Sequence, residues 1–374
     1  MKLTAWSLHF YELPYAREVV WANAVESSGL YALLSLTDES GAQGVAEGTI
    51  KATWSGVSPR SLAASLEDFL MPKVLSVECN GAAGIMKHFE GVPENRLAKA
   101  MIDNAAWQIE ACRAGQPLWK LWGGQACVDL TWAVTRQPPQ AMAAEAADVC
   151  ARYGFRTLKV KGGQQLDTDL AAMREIRAAV GDRVTLYVDA NSAYKRAEAL
   201  AYTLAIRDAG ATVCEDPSPL KPDTQFTELQ AAAGIPILVD RTCTSALDAA
   251  HYLEKGATAL STKAGRIGFS EAREISALAA AHGARVALGL YAESALGTLI
   301  SLQYGAAIAP ELRLVAAEQT FYLGIVEQVV TQMPPVKDGR IELPAAADYS
   351  KLVDWERVKR FAVGVQASGR QRAR

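Results

Sequence analysis

The sequence predicts an α/β chain in which a barrel of alternating strands and helices follows a smaller α+β unit. Three observations carry that prediction. After the Gly123–Gly124 pair, short apolar runs alternate with Ala-rich amphipathic segments, eight runs in all. Before that pair the order differs, with strand patterns first and helical patterns second. Ionisable residues then recur at one place in the later repeat, once per unit. Eight βα units in about 200 residues is the arithmetic of a barrel. A doubly wound open sheet is the runner-up, but no G-x-G-x-x-G follows the first strand.

The elements follow in order. Residues 1–60 predict strands, and LYALLSLTDESGAQGVAEG predicts a hairpin turning at Asp38–Gly41. From 60 to 123 the period becomes helical, over 59–75 and again over 95–115, with Gly115 stopping the second helix and Pro117 beyond it. Residues 1–125 therefore form the first unit. Residues 126–325 hold the strand candidates DLTWAVT, RTLKVK, VTLYVD, ATVCED, IPILVD, ATALSTK, ARVALGL and LRLVAAE. These are continuous apolar runs, as parallel strands covered on both faces require. Beyond 325 the repeat stops, and 326–374 is a C-terminal segment whose last residues, ASGRQRAR, predict a solvated basic tail.

Composition excludes several classes of function. The 374 residues are 50% hydrophobic and 21% charged, enough for a sizeable core and unlike a disordered chain. Lys plus Arg (38) against Asp plus Glu (41) leaves a net charge of −3, so no positive field gathers nucleic acid or an anionic membrane. No apolar run reaches the roughly 18 residues of a spanning helix. Ser7, His9 and Glu12 interrupt the first apolar stretch, against a signal peptide. Six scattered cysteines without a C-x-x-C argue against zinc and disulfides and for a reducing cytoplasm.

The chemistry sits at the strand ends. The second strand ends in Lys159-Val160-Lys161, the third in Asp189, the fourth in Glu215, the fifth in Asp240 and the sixth in Lys263. Successive steps from Lys161 are 28, 26, 25 and 23 residues, each one βα unit. In a barrel these positions share the mouth where active sites lie. One charge past an apolar strand is as often a solvated end as a functional group. Five in succession are not explained that way. Three carboxylates in one mouth repel one another unless a cation neutralises them. Oxygen donors without His or Cys suit a hard ion, so Asp189, Glu215 and Asp240 are the candidate ligands of Mg2+, with Mn2+ as substitute. Their oxygens are expected to converge on one ion. Lys161 and Lys263 lie across the ring from each other and flank a substrate held there. That suits removal of a proton beside a carboxylate, because a divalent cation stabilises the doubly charged enediolate. Lys159, on the same strand face, is a like charge that poises Lys161 as base; alternatively it pairs with an acid.

LKVKGG, LYVDANSAY, CEDPSP, LVDRT and LSTKAGRIG, in this order and spacing, resemble the enolase superfamily, and within it the muconate lactonizing enzyme subgroup of the mandelate racemase/muconate lactonizing enzyme family. AAWQIEACRAGQPLWKLWGG and ALGLYAESALGT extend the resemblance over nearly the whole chain. It implies an α+β capping domain on a modified (β/α)7β TIM-like barrel, one Mg2+ on Asp189, Glu215 and Asp240, Lys161 and Lys263 as acid/base pair, and C-terminal residues folding back onto the cap. The mandelate racemase subgroup uses a His near strands six and seven; His9, His88, His251 and His282 end neither, and Lys263 holds the sixth-strand place. Two positions depart from the family pattern. Arg241 stands where an acid often follows the fifth-strand Asp, and Tyr194 where a Trp often closes the third-strand motif.

Specificity is expected from two cap loops over the mouth, within 12–24 and 49–59. They offer Tyr15, Arg17, Trp21, Lys51 and Trp54; Trp21 and Trp54 would pack an aromatic or cationic group, and Lys51 would receive an anion. Asn191, Glu293 and Glu318 complete the substrate-binding candidates. The predicted enzyme abstracts the α-proton of a small carboxylate and returns it, as a racemase or epimerase of an amino-acid derivative or dipeptide. A muconate-type cycloisomerase or o-succinylbenzoate-type synthase is the alternative, and a Schiff-base barrel aldolase the rival from another class. No nucleic-acid or membrane partner is expected, and a homo-oligomer is.

Overall fold

The computed structural model describes residues 1–22, 24–364 and 366–370. Strands β1 (Leu3–Val20), β2 (Val25–Asp38) and β3 (Gln43–Ile50) form an antiparallel meander. Period two gives β1 two apolar faces. Trp6, Leu8 and Phe10 enter the cap core, whereas Tyr11, Leu13 and Tyr15 join the core of the barrel. The helix Arg96–Ala114 packs on the sheet through Met101, Ala105 and Ile109. Its approach requires Gly44, where a Cβ would lie 1.9 Å from the Ala105 carbonyl oxygen. Gly115 ends this helix in the left-handed region at φ 67°.

The barrel begins after a two-stranded clasp of β4 (Cys127–Asp129) with a late strand, β12 (Arg340–Glu342). Seven parallel strands then stand side by side in chain order: β5 (Trp132–Val134), β6 (Thr157–Lys161), β7 (Thr185–Asp189), β8 (Ala211–Glu215), β9 (Ile237–Val239), β10 (Ala259–Thr262) and β11 (Arg285–Leu288). The eighth apolar run, expected as a strand, forms no regular ladder. It closes the ring by two backbone bonds on each side: Leu314 N donates to Val286 O at 2.8 Å and Glu318 N to Leu288 O at 3.0 Å, while Ala317 N donates to Asp129 O at 2.9 Å and Ala317 O accepts from Thr131 N at 2.8 Å.

Two further expectations are corrected. Residues 12–20 are not a loop but the far half of β1, so the cap reaches the mouth on the β1–β2 hairpin, where Trp21 N donates to Ala24 O at 2.8 Å. The C-terminal tail is not solvated over 367–370 but folds back onto the cap, as the family resemblance implies; β13 (Ala367–Arg370) pairs antiparallel with β1, Ala5 opposite Arg370. Residues 371–374 lie outside the described residues. Unpaired β1 backbone groups at that edge supply the partners that charge patterning does not reveal.

The cap docks on the mouth. Asn104 of the long helix donates through Nδ2 to Ala264 O at 2.9 Å and accepts from Phe269 N at 2.8 Å. Glu47 on β3 accepts from Ser294 N at 2.9 Å, and Tyr31 Oη donates to Ala292 O at 3.1 Å. The cap thus grips the segments following the sixth and seventh barrel strands. Among the described residues no helix is long and apolar enough to cross a membrane, and the six cysteines are unpaired.

Candidate active site

The ladder makes the candidate residues neighbours. Lys161 stands opposite Asp189, and Asp189 opposite Glu215, across β6, β7 and β8. Adjacent strands lie about 4.8 Å apart, so these side chains share one end of the sheet. Asp240 follows β9 and Lys263 follows β10. β10 is four places from β6 in the sheet, so Lys263 faces Lys161 across the ring. Several residues past the strand ends adopt left-handed backbone, among them Asn191 at φ 50°, Ser192 at φ 62° and Asp216 at φ 40°. Such conformations are costly and persist where the surroundings hold them. Here the Asp216 carboxylate accepts from Asp240 N at 3.2 Å and Arg241 N at 2.8 Å, and burial pushes it up to about 7. Asp216 thereby fixes the turn that carries Asp240.

A cavity of about 380 Å³ opens between these ends and the hairpin tip, lined by Lys161, Lys263, Asp240, Asn191, Trp21 and Trp54. A larger one of about 590 Å³ lies at the opposite end of the barrel against Arg156, Thr157 and Arg313. It touches none of the strand-end acids or lysines, so chemistry and not size selects the mouth.

Charges in the mouth are paired. Lys161 Nζ donates to Asp189 Oδ2 at 2.6 Å, and Lys263 Nζ to Asp240 Oδ2 at 2.5 Å. Arg266 Nη2, which the sequence reading did not assign, lies 3.3 Å from Asp240 Oδ1. Its spacing of three from Lys263, on the turn after β10, was the available signal. Burial would raise Asp189 and Asp240, but Lys161 and Lys159 outweigh it at Asp189, and Lys263 and Arg266 at Asp240. Both carboxyls are held well below their usual range. Burial and the neighbouring Asp189 push Glu215 the other way, well above it.

Lys159 is corrected from its role as a like-charge neighbour. It is 1% exposed, with Nζ 2.8 Å from Glu215, 3.2 Å from Asp189 and 2.9 Å from Glu318. Burial lowers its affinity for a proton, yet the three acids hold it well above the ordinary lysine value. Glu318, expected at the substrate, is buried and engaged within the barrel. It accepts from Lys159, from Tyr187 Oη at 2.8 Å and from Leu290 N at 3.1 Å. Glu293 is likewise turned inward, 2% exposed, accepting from Tyr291 N at 2.7 Å; burial pushes it up to about 7.

Among the described residues no three acidic side chains close on one point as they stand. The expected convergence is replaced by ion pairs, each carboxylate being drawn onto an ammonium. The donor set still fits a hard cation. Asp189, Glu215 and Asp240 offer oxygens only, and Glu215 Oε1 is buried without a hydrogen bond. Asn191 stays beside them, donating through Nδ2 to Asp189 Oδ2 at 3.0 Å.

The lid differs from expectation at Lys51. It is 2% exposed, bonded to Glu26 and to Tyr15 Oη, and its Nζ lies 4.8 Å from the Trp21 ring and 5.5 Å from that of Trp54. An ammonium so enclosed clamps the hairpin to the segment after β3 and is not free for a substrate anion. Trp21 and Trp54 meet edge to face at 5.0 Å and do line the cavity. Of the departures, Tyr194 does not line the cavity, donating instead to Asp169 Oδ2 at 2.8 Å. Asp169 also accepts from Gly163 N at 2.7 Å, so Tyr194 braces the loop after Lys161. Arg241 is exposed on the cavity wall.

Comparison with known proteins agrees with this geometry. Residues 141–348 match the enolase C-terminal domain-like family, and residues 13–123 the mandelate racemase/muconate lactonizing enzyme N-terminal domain. The chain is 28% identical over 307 residues to muconate cycloisomerase 1 of Rhodococcus opacus, covering 79% of this chain and 82% of that protein. It is 29% identical over 283 residues to the L-Ala-D/L-Glu epimerase of Bacillus subtilis, covering 73% and 76%. The fold superimposes on the dipeptide epimerase of Cytophaga hutchinsonii complexed with Mg and D-Ala-L-Val, with TM-score 0.85 and 21% identity over 100% of this chain and 97% of that one.

Proposed function

The chain belongs to the mandelate racemase/muconate lactonizing enzyme family of the enolase superfamily, and from that membership we propose that it racemises or epimerises an amino-acid derivative or dipeptide by proton transfer between Lys161 and Lys263. The observation that carries the proposal is the placement of two lysines on opposed strands, both opening on one cavity, each held by an aspartate of the neighbouring strand.

Asp189, Glu215 and Asp240 are the residues that would hold Mg2+, on which this family depends. Bound there, the ion supplies positive charge to the substrate carboxylate as the α-proton leaves. The lysines do the rest. Lys161 takes the proton from one face and Lys263 gives one to the other, and the reverse substrate exchanges the roles. Their aspartate partners fix where each Nζ lies. Lys159 is a positioning residue: its ammonium offsets the repulsion among Asp189, Glu215 and Glu318. Trp21 and Trp54 cover the cavity and exclude water.

The test is product analysis by NMR with Mg2+ present, over dipeptides, N-acyl amino acids and unsaturated dicarboxylates. Interconversion of two stereoisomers supports the proposal. A lactone or a dehydrated product assigns a cycloisomerase or a succinylbenzoate-type synthase in its place.

A further inference from the structure

A second cavity of about 360 Å³ lies beside the mouth and shares Trp21, Lys161 and Leu290 with it. A molecule whose α-carbon meets Lys161 therefore has a side chamber within reach. The walls are apolar: Val19 and Trp21 from the hairpin, Trp132 on β5, Val149 on the helix that follows, and Phe321 and Leu323 after the closing segment. The charged groups at the rim are already matched: Arg152 Nη2 lies 2.9 Å from Asp148 Oδ2 in an exposed pair, and the rest converge on Glu145. Arg17 Nη2 donates to Glu145 Oε2 at 2.7 Å and to Thr135 Oγ1 at 2.8 Å. Trp132 Nε1 donates to Glu145 Oε1 at 2.7 Å, and Gln137 Nε2 to Glu145 Oε2 at 2.5 Å. Both oxygens of Glu145 are engaged, and the charge of Arg17 is answered by the same carboxylate.

A second carboxylate placed here would lose water and find no uncommitted cation, which is costly. An apolar group would gain by leaving water. We infer that this chamber receives an apolar side chain, aliphatic or aromatic, of a substrate with a single carboxylate, so that dicarboxylates are disfavoured. The inference rests on the proton-transfer reading of the mouth and adds the chemical class of the group attached to the reacting carbon.

Gly324 provides the means to test it. It lines the chamber, and a Cβ there would meet nothing within 4 Å. Gly324→Phe introduces a ring at this wall from a Cβ in open space, and Ala16→Trp introduces one at the rim from β1. The measurement is calorimetric titration of the Mg2+-loaded enzyme with N-acetyl-phenylalanine and with N-acetyl-glutamate. A pocket contact of this kind discriminates by about ten-fold or more. The phenylalanine compound should bind at least about ten-fold more tightly, and either filled variant, shown folded by its melting curve, should reduce that ratio toward one. Equal or tighter binding of the glutamate compound, no binding of either, or an unaltered ratio in both variants overturns the inference. The same mixtures in D2O report on the mouth separately. Selective binding without α-proton exchange would sink the proton-transfer reading and leave the chamber assignment standing.

Discussion

Lys159 and Glu215 set the energetics of the mouth. One buried ammonium answers three carboxylates, and its removal leaves them facing one another without water. Breaking such a cluster costs about 3–5 kcal/mol. Lys159→Met should lose stability of that order in denaturant titrations with a chelator present; an unchanged midpoint would show that the ammonium carries no such load. Glu215→Gln keeps shape and burial but removes a charge the cation needs. It should weaken Mn2+ binding in a calorimetric titration by about ten-fold or more, while far-UV circular dichroism stays native. At this scale the sequence was informative where one repeat position recurred, which placed Lys161, Asp189, Glu215, Asp240 and Lys263 at one mouth. It was silent on pairing across the fold. Lys51 meets Glu26 only because β2 and β3 lie side by side there, and Glu318 reaches Lys159 from the far end of the barrel chain, 159 residues away.

Among the elements, the long cap helix makes the decisive contact with the barrel. Asp103 accepts from Ser270 N and Ser270 Oγ, both at 2.7 Å, and burial raises its carboxyl to about 6 from the ordinary 3.8. The folded chain thus holds this proton at a pH where the unfolded chain has released it. The associated stability is complete below pH 4 and is lost as pH rises through 6, by about 3 kcal/mol for a shift of two units. Asp103→Asn should flatten the pH 4–6 part of a chemical-denaturation series. A slope identical to the parent's would contradict the assignment. The long helix was readable because its 3.6-residue period and terminal glycine are local. The closing segment was not: LRLVAAE has a strand's composition, but it is held by two backbone bonds on each side and no regular ladder, and such bonds depend on the curvature of the ring. The return of the C-terminus to the cap was legible only through the family resemblance and not in the local pattern of β13, since its partner β1 lies at the other terminus.

At the level of the molecule, a cap docked on a barrel encloses a small mouth lined by Lys161, Lys263 and Asp240, with Asp189 and Glu215 buried at the neighbouring strand ends and an apolar side chamber alongside. EDTA should abolish turnover, and Mg2+ or Mn2+ should restore it, if the acids serve the cation; full activity after chelation would refute that. The central claim is that two lysines act on opposite faces of one substrate. It is tested most directly by following the α-proton of each enantiomer of an N-acyl amino acid in D2O by NMR. Parent, Lys161→Ala and Lys263→Ala enzymes are compared with Mg2+ present. Acid/base groups contribute about 10²–10⁴-fold. Each substitution should therefore suppress exchange of one enantiomer by at least about 100-fold, Lys161→Ala one and Lys263→Ala the other. Full exchange of both enantiomers by the Lys263→Ala enzyme would contradict the two-lysine account.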